Sequence, residues 1–136
     1  MAEPDIDAAL YTKLTNDAAL AGLVGTKVYY GQAPQGTARP YVIFAPAGGG
    51  EVNATKRRMI NEVYRVEFVA NTKAEAVAGD SAISGALHEQ ELSISGWDVY
   101  DVQRESKYAP PVENLEGVQV WRRGAYYRIR LVSLTV

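Results

Sequence analysis

Residues 28–44, VYYGQAPQGTARPYVIF, place two β-prone runs on either side of a short loop. Four residues keep a regular element from continuing through this loop: Gly31, Pro34, Gly36 and Pro40. Pro40 restricts the residue before it to extended geometry, and proline is tolerated as the first residue of a strand. We therefore predict a short strand at residues 27–30, a rigid connection, and a second strand from Pro40.

The segment before this stretch has the spacing of two short helices. Apolar residues recur at helical intervals first over residues 6–14 and then over residues 20–24. Asn16 and Asp17 separate the two runs as a break and a new cap, and Gly25 closes the second. Each helix is expected to pack through a single apolar stripe.

Residues 47–58, AGGGEVNATKRR, follow the second strand. Three consecutive glycines cost backbone entropy and favour flexibility. The segment ends in three consecutive basic residues, Lys56, Arg57 and Arg58. We predict a flexible loop or a hairpin tip over residues 47–58.

The next segment alternates and then changes to helical periodicity. In residues 62–70, EVYRVEFVA, apolar side chains occupy one face and charged side chains the other. Thr72 and Glu75 form the T-x-x-E pattern of a capping box, which predicts a helix to about Glu89. Its narrow apolar stripe consists mostly of small residues: Ala76, Gly79, Ile83 and Leu87.

The C-terminal part is expected to add two strands, residues 97–106 and a long final strand from Val118, with a possible bend at Gly124. Arg128 and Arg130 alternate with apolar residues in the final strand. The predicted fold class is α+β: a mostly antiparallel β-sheet with helices packed on one face, in a single domain spanning residues 1–136.

Composition restricts the function classes. The chain has 136 residues, 47% of them hydrophobic and 22% charged, which is ordinary for one globular domain. The net charge of −2 gives no global field for nucleic acid or membrane. Cysteine is absent, which excludes disulfides, thiolate metal sites and cysteine nucleophiles. The acidic N-terminus does not resemble a signal peptide, so synthesis in the cytoplasm is expected.

No constellation of residues indicates an active site. His88 is the only histidine, and with Glu91 it supplies too few ligands for a metal; we interpret it as a cation at a helix C-terminus. The three glycines lack the spacing of a phosphate loop or a dinucleotide fingerprint. We therefore assign no catalytic residue, no cofactor-binding residue and no metal site, and expect no enzymatic activity.

The basic residues leave two interpretations open. Lys56, Arg57 and Arg58, together with Arg128 and Arg130, are either ordinary solvated charges or candidates for an interface or DNA-facing surface. The N-terminal 26 residues are acidic and the C-terminal part is basic, an asymmetry that also favours contacts between copies.

The ordered pattern of the N-terminal 44 residues resembles the small tail-completion proteins of long-tailed bacteriophages. That family shows L-x-x-D-x-x-L-x-x-L-V-G, a short V-Y strand, an A-P-Q-G loop and P-Y-V. In this chain the first two elements lie in residues 14–29. The signature loop comprises Ala33, Pro34, Gln35, Gly36, Pro40 and Tyr41. A strand entering an alanine-rich helix and the closing YYRIRLVSL extend the resemblance over nearly the whole chain.

The resemblance implies a structural role. Proteins of this family, tail terminators and tail-to-head joining proteins, assemble into a hexameric ring on the end of the tail tube. The implied partners are further copies of the chain, the tail tube protein, the head connector and DNA passing through the lumen without sequence-specific binding. The implied location is the tail or neck of the virion. The alternative is a small nucleic-acid-binding module that uses the basic loop and the Arg-rich last strand.

Overall fold

A computed structural model describes residues 3–52 and 56–134. Across these residues the chain forms three helices and six strands in the order α1 Ile6–Thr15, α2 Ala18–Val24, β1 Val28–Tyr30, β2 Tyr41–Val52, β3 Met59–Ala70, α3 Lys73–Leu87, β4 Trp97–Tyr108, β5 Glu113–Leu115 and β6 Val118–Ser133. The predicted α+β class is confirmed. No helix within these two ranges is long and apolar enough to cross a membrane.

The sheet has the strand order β1-β2-β3-β6-β4, and β5 pairs with the beginning of β6. Only β1 and β2 are parallel; the other described pairs are antiparallel, as predicted. Since β3 and β4 are both antiparallel to β6, they run in the same direction. Helix α3 connects them across the intervening strand, which makes a split β-α-β arrangement.

Each helix begins at a side-chain cap. Asp5 and Asp17 accept from the backbone N–H groups three residues ahead, at 3.1 and 3.0 Å. Thr72 accepts from the backbone N–H of Glu75 at 3.2 Å, and its hydroxyl donates to the Glu75 carboxylate at 3.1 Å. The predicted capping pair is present. The Glu75 carboxylate accepts from the Thr72 hydroxyl, whereas in a standard capping box it accepts from the backbone N–H of the cap residue. Helix α3 ends at Leu87, two residues earlier than predicted.

The main core lies between the helices and one face of the sheet. The predicted stripe of α3 is buried, and so are the alternating apolar residues of β3 and β6. These core strand residues are Tyr64, Val66, Phe68, Ala125, Tyr127, Ile129 and Leu131. Tyr64 also donates a short hydrogen bond to Asp7 of α1, which fixes that helix over β3.

The opposite face of the sheet differs from the expected solvated surface. We call it the open face; its side chains include Ile43, Glu67, Val69, Val120 and Arg122. The three apolar members form a second small buried cluster, and Glu67 is only 1% exposed. Strand alternation predicted which residues lie on this face, but not that neighbouring side chains cover them.

The predicted loop over residues 47–58 is wrong for its first half. Residues 47–52 belong to β2 and pair with β3 as far as Val52 and Met59. A bulge lies between Pro46 and Gly48, and a Cβ on Gly49 would meet the Asn61 carbonyl oxygen at 2.2 Å. Glycine is used here for close approach of two strands. Residues 53–55 lie outside the described residues.

Helix α3 approaches the sheet closely at one glycine. A Cβ on Gly79 would meet the buried ring of Phe68 at 2.1 Å, whereas Gly85 on the same helix has nothing within 4 Å. The two glycines therefore have different physical roles in one helix.

We predict opposite effects for Gly79→Ala and Gly85→Ala on the free energy of unfolding. Overpacking against Phe68 should make Gly79→Ala destabilising by about 1–3 kcal/mol. The gain in helix propensity should make Gly85→Ala stabilising by about 0.5–1 kcal/mol. Urea denaturation of both variants checks this, and equal signs would contradict the packing argument.

Candidate assembly surfaces

The three basic residues of the β2–β3 hairpin tip, residues 56–58, have different environments. Arg58 donates to Glu51 in a short bond and to Glu3 at 3.0 Å, and its guanidinium lies 5.7 Å from the Trp97 ring centre. The hydrogen bonds to Glu51 and then Glu3 raise the pKa of Arg58, and the bond from Arg58 lowers the pKa of Glu51. Arg58 is therefore a link between the hairpin and the N-terminal segment.

The other two residues of the tip lie at the surface. Lys56 and Arg57 are exposed, and Arg57 donates to the carbonyl oxygen of Leu134 at 3.3 Å. Both side chains thus lie at the surface of the tip, and Arg57 is bonded to the chain near its C-terminal end.

Arg128 and Arg130 are neutralised across the sheet. Arg128 donates to Glu105 of β4 at 2.9 Å, and Arg130 donates to Asp101 of the same strand. The pKa of Asp101 is lowered by a hydrogen bond from Gln103 and then by the bond from Arg130. Both arginines lie on the open face, bonded to acidic neighbours.

The structure therefore does not bring the five predicted basic residues into one patch. Arg58 contacts Glu3 and Trp97 on the helix-covered side, whereas Arg128 and Arg130 lie on the open face. Three of the five are held by carboxylates. A phosphate-binding surface needs cations that are available to the phosphates, and this arrangement does not favour one.

An ionic cluster surrounds the buried Glu67 on the open face, and sequence reasoning did not identify it. Glu67 accepts from Arg122 at 2.7 Å and lies 3.2 Å from Arg65. Arg122 also lies 3.3 Å from Glu113 of β5, and Arg65 lies over the ring of Tyr108 at 5.0 Å. The cluster joins β5 to the main sheet.

His88 lies at the C-terminal end of α3, the position expected from the sequence. Its Nδ1 lies 3.0 Å from the backbone nitrogen of Arg104 and accepts its N–H. The next residue, Glu89, donates its backbone N–H to the Val102 carbonyl oxygen at 2.8 Å. The end of α3 thereby covers part of the outer edge of β4.

Two features of the described residues bear on possible chemistry: the grouping of metal-ligating side chains and the lining of a cleft beside α1. The described residues contain no group of three or more His, Asp or Glu side chains that could hold a metal ion. A cleft of about 760 Å³ lies between α1 and residues 91–95 and is lined by Glu3, Asp5, Ala8, Ala9, Thr12, Lys13, Asn16, Glu91, Leu92, Ser93, Ile94 and Ser95. These lining residues include Ser93 and Ser95 but no histidine that could act as their general base.

The Pro/Gly signature loop connects two parallel strands, so it crosses from one end of β1 to the start of β2. Its centre is closed by Thr37, whose N–H and hydroxyl both donate to the Pro34 carbonyl oxygen, at 3.1 and 2.6 Å. Lys27 donates to Ala38 at 3.0 Å, and Tyr41 meets the edge of the Tyr29 ring at 6.1 Å between centroids. The residues from Pro34 to Gly36 are exposed at the surface.

A hairpin arm, residues 112–120, projects beyond the end of β3. Its strands β5 and β6 are joined by Glu116 and Gly117, which both have positive φ, at 51° and 82°. Such a pair is typical of a type I′ turn. Three large apolar residues of the arm are 38–49% exposed: Val112, Leu115 and Val118. The sequence analysis predicts no strand between residues 106 and 118, although a two-residue turn ending in Gly is a hairpin signal.

An open edge, residues 45–52, is the second feature that sequence reasoning missed. Strand β1 pairs only with Val42–Phe44 of β2. Among the described residues no strand pairs with the outer side of β2 beyond that point. Pro46 lies in this edge, where its missing N–H costs no ladder hydrogen bond.

Glu62 lies among acidic side chains on the helix-covered side of the hairpin. Partial burial raises its pKa first, and the carboxylates of Glu51, Glu3 and Asp7 raise it further. A carboxyl whose pKa is raised by folding lowers stability when it is charged, and this cost disappears as pH falls through the raised pKa.

We predict that Glu62→Gln raises the melting temperature at pH 7 by roughly one to a few degrees. The difference from the parent chain should shrink as pH falls from 7 through the raised pKa of Glu62, because Glu62 itself then becomes protonated. Thermal unfolding across this pH range measures it, with Glu91→Gln as an exposed control. A lower melting temperature for Glu62→Gln at pH 7 would contradict the electrostatic argument.

Comparison with known proteins identifies the family. The sequence model of the family described as "Tail completion protein gp17" matches residues 8–109. No curated protein matches the chain.

Among solved structures, a chain of the "Virion of native gene transfer agent (GTA) particle" is similar to this one. The two are 25% identical with a TM-score of 0.81, over 94% of this chain and 95% of that chain. The similarity therefore extends over nearly the whole length of both chains. The family match spans most of the chain, so this protein belongs to the tail completion protein gp17 family and is a structural protein of the phage tail, located in the tail or neck of the virion.

Proposed function

We propose that the protein forms a hexameric ring at the head-proximal end of the tail tube. The ring ends polymerisation of the tube protein, presents a surface to the head connector, and lets DNA pass through its lumen without sequence-specific contact. The observation that carries this proposal is the family match over residues 8–109. The likeness to a chain of a gene transfer agent virion supports a place inside a particle.

The surfaces of the chain are compatible with a ring. A ring requires a heterologous interface, in which two different surfaces of one chain meet on neighbouring copies. The hairpin arm and the open edge are two such different surfaces. Their exposed apolar side chains and unpaired strand edge are features that assembly would cover.

The charge arrangement supports a role without specific DNA binding. Arg58, Arg128 and Arg130 are occupied by carboxylates of the same chain. DNA passing a ring requires a lumen that does not hold phosphates tightly, because each neutralised phosphate adds affinity. The nucleic-acid-binding alternative has no comparable support.

The solution mass tests the ring. Light scattering across a concentration series should show a species of about 89 kDa, six chains of 14.8 kDa. Negative-stain images of that species should show closed rings.

The proposed ability to end tube growth is tested with polymerising tail tube protein. Added protein should bind tube ends and stop their growth at substoichiometric amounts, and duplex DNA should show no retention at physiological salt. A chain that stays monomeric in the presence of tube ends, or that binds DNA with a steep salt dependence, would overturn the proposal.

A further inference from the structure

The open edge carries a glycine that the chain itself does not explain. Gly49 is required by the close approach of Asn61, and Gly48 has φ of +157°. Gly50 has neither constraint: no atom lies within 4 Å of its would-be Cβ, and its φ is not positive. Residues 46–51 are exposed, and within residues 3–52 and 56–134 no further strand pairs with their outer side. An edge of this kind accepts an added strand.

The hairpin arm has the properties expected of a strand that adds to the open edge: acidic charge, an unpaired backbone edge and exposed apolar side chains. Residues 109–121 contain no basic residue and two acidic ones, Glu113 and Glu116. In the described structure β5 pairs with β6 on one side, and no pairing occupies its other edge. Leu115 and Val118 are direct cross-strand partners, so their exposed side chains lie on the same face.

The charges next to the two surfaces are of opposite sign. The open edge leads into the hairpin tip with its exposed Lys56 and Arg57. The arm offers Glu116 at its turn beside its apolar side chains. A strand that approaches glycines on a sheet edge can cover them with large side chains. Val112 and Leu115 are large, exposed apolar side chains of the arm.

The arm and the open edge of one chain cannot meet. Gly50 is in register with Asn61, which is in register with Arg130 of β6. Val118 lies twelve residues before Arg130 on the same strand, a separation of about 40 Å at 3.3 Å per residue. A contact between the two surfaces therefore joins different copies head to tail, as a ring requires.

The other long edge of the sheet is less suited to accept a strand. Glu89 and His88 already bond to the backbone of Val102 and Arg104 on β4. Two register shifts interrupt β4, at Val99/Asp101 and Arg104/Lys107, whereas β2 has one, between Pro46 and Gly48.

We propose that the hairpin arm of one copy adds as a strand to the open edge of β2 in a neighbouring copy. This inference deepens the proposed ring and rests on it. The arm's outer backbone pairs with residues 45–52, its apolar side chains cover the glycines, and its acidic turn faces Lys56 and Arg57.

Cysteine cross-linking tests the contact directly, because the chain has no cysteine. Gly50→Cys and Ala47→Cys on the edge, and Leu115→Cys on the arm, change exposed positions. We predict that an edge variant mixed with the arm variant forms a disulfide-linked dimer under mild oxidation, while each variant alone forms far less. A chain with both cysteines should give a ladder of higher species. Leu23→Cys, 43% exposed on α2, is the matched control and should not link to the edge.

A charge reversal tests whether the acidic turn of the arm contacts Lys56 of the neighbouring copy. Glu116→Lys should raise the concentration needed for half-assembly by about two- to fivefold, the range expected for exposed ion pairs. Lys56→Glu in the same chain should restore assembly. Lack of restoration would remove Lys56 and Glu116 from the contact.

Mass and cross-linking together separate this inference from the proposed function. Rings with no edge-to-arm disulfide for either edge position overturn the inference and leave the ring. Disulfides in open chains instead of rings support the contact and overturn the ring. Neither rings nor disulfides, at any concentration or with tube ends present, overturn both.

Discussion

The pairing of β6 with β3 is the constraint on which the remaining structure depends. Twelve consecutive residue pairs join the two strands, from Ala70 and Trp121 to Met59 and Val132. A shift by one residue would exchange the faces of every side chain along β6. The apolar set would then point away from the helices, and the arginines would point into the core. The core, the open face and both hairpins therefore follow from this register.

Charge in this protein mainly connects parts of the fold. Arg104 of β4 forms a bidentate pair with Asp80 of α3, at 2.8 and 2.9 Å, beneath the helix layer. Arg122 connects the buried Glu67 to the base of the hairpin arm. Because a buried carboxylate needs a partner to offset its desolvation, these arginines are structurally occupied. Arg104 and Arg122 therefore join elements of the fold through carboxylates of the same chain.

The same organisation suits a component of a larger assembly. The helix side of the sheet contains the main core, while the features left unsatisfied are extended: an open strand edge and an apolar arm. Exposed strand edges are hazardous in a protein that acts alone, because they can pair without limit. In a ring of the proposed kind, each open edge would pair with one neighbouring copy. The edge would then contribute to assembly and would no longer be exposed.

Local patterns in the sequence were sufficient to predict which side chains of β3 and β6 face the core. They also predicted the caps of the helices and the buried stripe of α3. Each depends only on residues a few positions apart, with periods of 2 or about 3.6. The N-terminal motif was likewise readable as a family resemblance, and the family match bears it out. The sequence alone therefore determined the fold class and the structural role in the phage tail.

Only the tertiary structure decided where the charges and edges are placed. The partner of Glu67 is 55 residues away, and the partner of Arg58 at the N-terminus is also 55 residues away. Glycines that locally favour a loop became part of β2, because pairing with β3 satisfies their backbone groups and close approach requires them. Strand order, which is a property of the whole chain, left one edge of β2 uncovered and carried the arm beyond the sheet. Such long-range contacts have no local periodicity, which is why they became visible only in the folded molecule.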